Sequence, residues 1–476
     1  MRTPIMSSRA ARAAAVGAAL LFSAAAGRSP GAQSPTPARA LRAGAEQFEV
    51  AHDRSGAADA ATTVLAVYPT ADGDLPDHAA YLAALDARFA DRGLAVAVVL
   101  PASDAAAFAE RHPGLAVAVT DRDAKPQPPR VLVTRADGHV EAQLSDIDAL
   151  GDVMEALASG DFDAEESAKT ERGIEHLLRV VTDGDARERD VAETSARAPR
   201  SGRARAAVVL HAWWCRGEPK TARAAAERGL RALAGEGVPM VRFADLVLRG
   251  DRHDPVVAEK IADAMAPFAA AAPRGRRTQL VYLRSLLRAG RDRDAGRIAA
   301  TLPRRLAGAP ALQVVFAETL MEAAQPLVHR DAAARALQRA EAGGADRRWI
   351  YAARHKLLAR CGDDAAAAAL AKDYRAKSVS SNSLNNDAWY LMTQVETLGR
   401  FDTLALAQCE EMQQEEGDAL DFVSADTVAL AMFCSGRIAR AIELQAGAVK
   451  AIPNDLAYEG RLLRYRATAK LLARDR

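Results

Sequence analysis

The sequence predicts an α/β domain followed by an all-α helical-repeat solenoid, and three observations carry that prediction. Apolar runs alternate with helical stretches between residues 59 and 160. After about residue 161 no convincing strand run appears and helical periodicity takes over to the C-terminus. Glycines then recur at a regular spacing, with Gly362, Gly399 and Gly436 standing 37 residues apart.

In the first part, Val64 to Tyr68, Leu94 to Leu100, Leu115 to Val119 and Val131 to Thr134 read as strands. Helices are expected over 77–92, 103–111 and 147–158. Asp137-Gly138 is a hairpin turn signal leading into His139 to Ala142. In the second part, apolar helices end in Gly and are followed by Ala-rich helices, as at Trp213-Trp214-Cys215-Arg216-Gly217 and Leu286-Leu287-Arg288-Ala289-Gly290. The intervals from Gly217 to Gly290 and from Gly290 to Gly362 are near twice the shorter spacing, so further hairpins are expected near Gly250 and around Ala324.

The 476 residues allow more than one core, and 63 Lys+Arg against 62 Asp+Glu leave no whole-protein field to gather nucleic acid or an anionic membrane. Arg2, Arg9 and Arg12 before the apolar stretch Ala13 to Ala26 read as a secretory signal peptide over 1–26, with an uncleaved anchor as the alternative. Export to a periplasm or the outside is therefore expected, with no stable membrane insertion. Residues 27–58, rich in Pro, Ala, Ser and Arg, read as a linker, 161–206 as a helical connector and linker, and 207–476 as the repeats. The basic stretch Arg197 to Arg205 reads as solvated linker rather than a nucleic-acid arm.

From Val64 to Ala158 the chain resembles the thioredoxin-like fold of the alkyl-hydroperoxide-reductase/thiol-specific-antioxidant type. The resemblance rests on Val67 to Leu75, on the helix Leu82 to Phe89, on Asp91-Arg92-Gly93-Leu94-Ala95-Val96, and on a loose match of Pro129 to Gly138. It places Asp72 and Leu75 where the family carries its two cysteines, and Pro129 at its usual cis-proline. Thiol–disulfide exchange needs an attacking thiolate and a resolving thiol, and no Cys precedes Cys215. The groove of Asp72, Leu75 and Pro129 is then expected to accept an extended peptide without redox chemistry.

The helical part resembles tetratricopeptide repeats, most closely where Ala429, Gly436, Ile438, Ala441, Ala448 and Pro453 fall at the family's spacings. That resemblance implies binding of a protein or peptide partner. Trp213-Trp214 and Trp389-Tyr390 lie on first helices, where adjacent side chains diverge by about 100°. Trp214, Trp389 and Tyr390 are candidate anchors, with core packing as the alternative. Cys409 and Cys434 fall on helices that consecutive repeats pack together, so a disulfide stands beside a reading as small core residues.

The chain has no C-x-x-C, H-E-x-x-H, G-x-S-x-G or phosphate-loop motif, so no metal, cofactor or catalytic residue is expected. Asp72, Asp74 and Asp77 fail the calcium-loop pattern, because counted from Asp72 the chain has Asp77 where the loop needs Gly and Ala83 where it needs Glu, so a turn and helix start is the reading. The reading is a non-catalytic exported scaffold. The alternatives are a thiol-disulfide oxidoreductase relative with a relocated centre at Cys215 or at Cys409 and Cys434, and a structural envelope component.

Overall fold

The computed structural model describes residues 40–43, 46–52, 62–69, 71, 73–120, 130–135, 139–144, 146–184, 186–250, 254–378, 384–416 and 420–474. The signal-peptide segment 1–26, Asp72, Pro129 and the Asp137-Gly138 turn lie outside the described residues.

The sheet holds strands β1 (Ala40–Ala43), β2 (Glu46–His52), β3 (Thr62–Val67), β4 (Leu94–Pro101), β5 (Ala116–Thr120), β6 (Arg130–Arg135) and β7 (Val140–Leu144), in the order β1-β2-β5-β4-β3-β6-β7. Its centre is parallel, β3 with β4 and β4 with β5, whereas β6 runs antiparallel to both β3 and β7. Helix α1 (Leu75–Phe89) links β3 to β4, α2 (Ala102–Arg111) links β4 to β5, and α3 (Leu150–Ser159) follows β7. Strand alternation sends Val64 and Ala66 into one buried cluster and Leu65, between them, into another. Both faces of β3 and β4 are therefore buried, which is why these strands read as continuous apolar runs.

Strands β1 and β2 correct the linker expected over 27–58, because residues 40–43 and 46–52 pair into the sheet and β2 lies antiparallel to β5. The alternation of Phe48 and Val50 with Gln47 and Glu49 is the strand signal there, and it is too short to stand out from the Ala- and Arg-rich composition around it.

Everything described after residue 161 is helical or turn. Helices α4 (Ala164–Asp183) and α5 (Glu188–Arg197) come first, then α6 (Gly202–Leu210), which runs into a π-turn at His211–Cys215. The hairpins continue with α7 (Pro219–Ala232), α8 (Gly237–Gly250), α9 (Pro255–Ala271), α10 (Arg276–Arg288), α11 (Asp292–Arg305), α12 (Pro310–Leu320), α13 (Arg330–Ala342), α14 (Arg347–Arg360) and α15 (Asp364–Ser378). The last are α16 (Leu384–Thr393), α17 (Asp402–Glu416), α18 (Phe422–Cys434), α19 (Ile438–Ala451) and α20 (Leu456–Arg474).

Gly217, Gly290, Gly362, Gly399 and Gly436 all have positive φ at the turn of a hairpin, a conformation that costs an L-residue about 1–2 kcal/mol. The two hairpins without that glycine turn where expected, between Gly250 and Pro255 and between Leu320 and Arg330. First helices touch in series, α6 with α8, α8 with α10, α10 with α12, and α12 with α14. The series changes step at α14, which packs on α17.

The last helix returns to the first hairpin. Helix α20 packs against the π-turn, and Arg461 donates to the Asp183 carbonyl at 2.7 Å. A Cβ at Gly460 would stand 2.5 Å from the Cys215 carbonyl oxygen, so only glycine permits this approach. Next to it, the Arg464 guanidinium lies over the Trp214 ring at 4.0 Å.

Several carboxylates tie the sheet domain to the helices, Asp77 and Asp148 with the most hydrogen bonds. Asp77, in the first turn of α1, accepts from the Thr278 amide (2.8 Å), the Thr278 hydroxyl (2.7 Å) and the Arg277 amide (3.1 Å), capping α10 from another part of the fold. Asp148, fully buried just after β7, accepts from the Ser201 hydroxyl and from the Gly202 (3.0 Å) and Arg203 (3.2 Å) amides at the start of α6.

Candidate functional site

Because Asp77 and Asp148 hold it there, the start of α1 faces the interior of the helical array. A cleft of about 560 Å³ lies between them. Asp77, His78 and Asp146 contribute its sheet-domain wall. Helix α8, the N-terminal halves of α10 and α12 and the start of α14 contribute the opposite wall.

The side chains divide into two zones. Val241, Leu312, Val315, Trp349 and Val395 are half-buried, forming an apolar wall without being consumed by the core. Trp349 is held flat by parallel stacking on Phe401 at 5.0 Å and on Tyr390 at 6.0 Å. At the sheet-domain end the lining turns polar, with Arg203, Arg242, Arg277, His78, Asp77 and Asp146.

Asp146 lies between two guanidiniums, 3.6 Å from Arg203 and 3.6 Å from Arg242. Burial raises its carboxyl pKa, but Arg242 and Arg203 outweigh burial and bring the net value below the usual range. Burial likewise opposes charge on Arg242, and Asp146, Asp148, Asp245 and Asp74 outweigh it, so the guanidinium is secured as a cation. Deeper along α8, Asp245 accepts from Arg249 at 2.9 Å and from Arg284 at 2.6 Å. Arg249 also donates to the Val395 carbonyl at 2.9 Å, and Arg400 grips Glu318 through two nitrogens. These inner pairs fix the segment around Val395 against α8 and α12.

His78 is buried and makes a 2.8 Å hydrogen bond through Nδ1 to the Tyr68 hydroxyl. Burial lowers the His78 pKa and raises that of Tyr68. With the Tyr68 hydroxyl as donor to Nδ1, the neutral imidazole carries its own proton on Nε2.

The residues singled out from sequence fall in several places. Leu75 is fully buried in the core beneath the sheet, at the first position of α1. Trp214 is buried, its indole N–H donating to the Gly250 carbonyl at 3.1 Å. Trp389 is half-buried beneath Arg461, whose guanidinium is 5.2 Å from its ring. Tyr390 packs behind Trp349, one layer from the cleft. Cys409 and Cys434 are not joined by a disulfide; Cys409 is fully buried, and burial raises its thiol pKa, followed by Glu410 and Cys434. That works against a nucleophilic thiolate at Cys409.

Sequence reasoning passed over the cleft's own residues, Arg203, Arg242, His78 and Trp349. Arg203 sits in the basic stretch Arg197 to Arg205 that reads as linker, and Trp349 stands alone at a helix start. No family model, curated protein or solved structure matches the chain. Among the described residues, no group of three or more His, Cys, Asp or Glu could hold a metal ion, and no helix is long and apolar enough to cross a membrane.

Proposed function

We propose that this is an exported, non-catalytic binding protein that takes a peptide segment of its partner into the cleft between the sheet domain and the helices. The observation that carries the reading is the wall of half-buried apolar side chains, Val241, Leu312, Val315, Trp349 and Val395, beside a polar end. A folded chain leaves such a surface uncovered at a cost of about 25 cal/mol per Å², a cost that a ligand's apolar groups remove on binding.

In this reading the sheet domain is a redox-inactive thioredoxin-like module and the helices are a tetratricopeptide-like solenoid. The β3-α1-β4 crossover followed by the antiparallel β6-β7 pair supports the first assignment. The positive-φ glycines at the hairpin turns support the second. Leu75 stands at the start of α1, a position where the resemblance would require sulfur.

The test is retention of a randomised hexapeptide pool by the full chain in equilibrium dialysis, compared with Leu312→Trp, which fills the cleft. Retention by the parent and its loss in L312W is the expected result. No retention by the parent, or equal retention by a folded L312W protein, contradicts the proposal.

A further inference from the structure

The polar end of the cleft has donors left over, and this points to a more specific ligand. Of the five carboxylates that line the whole cleft, Glu396 is exposed beside Val395 and the other four are engaged. Asp77 caps α10, Asp346 caps α14 through the Arg348 amide at 2.7 Å, and Asp245 serves Arg249 and Arg284. Asp146 accepts from the Asp148 amide at 3.1 Å and is shared, at 3.6 Å each, by Arg203 and Arg242. Arg203 has a second carboxylate in Asp148, 3.5 Å from its Nε, but all three of these ion pairs are longer than the roughly 2.7–2.9 Å of a charge-assisted hydrogen bond, so both guanidiniums keep unused donor capacity.

Arg203 shows this directly, since its Nη2 is buried without a hydrogen-bond partner among the described residues. Arg242 has five N–H donors, and its one close contact among the described residues is the long pair with Asp146. Its side chain keeps 32% of its exposure while lining the cleft, so an incoming group can reach it. The start of α12, which no side chain caps, opens onto the same space and adds partial positive charge. The apolar wall begins on the same helix at Val241 and continues through Leu312 and Val315 to Trp349.

We infer that the cleft binds an organic acid with an apolar body, its carboxylate received by Arg242 and Arg203 and its body lying along Val241, Leu312, Val315 and Trp349. The inference rests on the reading of the cleft as the binding site and goes beyond it by naming the ligand's chemistry. A planar guanidinium offers parallel donors to a carboxylate, which explains why arginine rather than lysine serves this end. The volume suits a small amphipathic molecule, within the roughly 300–1,000 Å³ typical of ligand pockets. A free acid and the acidic terminus of an apolar peptide share this head chemistry, and the probes separate them.

The experiment is calorimetric titration of the full chain with decanoate, with decan-1-ol, and with the randomised hexapeptide pool carrying free or amidated C-termini. A charged hydrogen-bonded head predicts decanoate binding at least about tenfold more tightly than decan-1-ol. Arg242→Gln brings the two within about threefold of each other, and Arg242→Lys restores part of the preference. Circular dichroism and thermal melting verify the fold of both variants. Free-acid peptides bound in place of decanoate, with their amides rejected, assign the same head site to a peptide terminus.

Equal binding of decanoate and decan-1-ol by the parent, or a preference unchanged in R242Q, overturns the inference. Retention of free and amidated peptides alike, with no binding of decanoate, overturns it while leaving the peptide-binding proposal standing. Failure of every probe removes both.

Discussion

His355 shows how a single buried group couples this fold to pH. Its ring is buried on α14, with Nδ1 3.2 Å from the Thr403 hydroxyl, and burial lowers its pKa to about 4. In the unfolded chain the imidazole takes its proton near pH 6.5, so between about 6.5 and 4 the unfolded state binds more protons than the folded one. Stability contributed by the neutral ring is therefore complete above pH 6.5 and declines as the pH falls toward 4. The depression corresponds to about 3 kcal/mol across that window. Urea unfolding of His355→Gln beside the parent at pH 7 and pH 4.5 should show a smaller loss in the variant. An equal loss would assign the acid sensitivity elsewhere.

At the scale of elements, close approach rather than intrinsic helix propensity decides how the array ends. Gly460 lies on α20, where a Cβ would meet the Cys215 carbonyl oxygen at 2.5 Å. In an isolated helix, alanine in place of glycine stabilises by roughly 1 kcal/mol. Here Gly460→Ala should instead destabilise the protein by about 1–3 kcal/mol, because helix α20 must move off the π-turn. Chemical denaturation checks the sign directly; a stabilised G460A protein would show that α20 does not pack so closely.

The strands β3 to β7 and the hairpin glycines were legible in the sequence because each carries a local signal, a two-residue alternation or a left-handed turn. Strands β1 and β2 were missed because two alternating apolar residues give a weak period. The cleft was hidden for a different reason. Arg203, Arg242 and Trp349 come from three separate helices, and His78 from the sheet domain. Their meeting depends on Asp77 and Asp148 bridging parts of the chain about 200 and 54 residues apart, respectively. No local spacing records such a contact. Of the aromatic candidates, Trp214 donates to the Gly250 carbonyl and lies under Arg464, while Tyr390 stacks on Trp349 from behind.

Across the whole molecule, the docking of the sheet domain converts the interior of the helical array into a site with two chemically different ends. Inner helices α8, α10, α12 and α14 line it, and α7, α9 and α11 do not. The most direct test is hydrogen–deuterium exchange of the full chain with and without the peptides it retains from the randomised pool. The account predicts added protection in residues 238–249, 277–284 and 311–315, with residues 219–232, 255–271 and 292–305 unchanged. Protection confined to those outer helices, with the cleft segments unaffected, would contradict it.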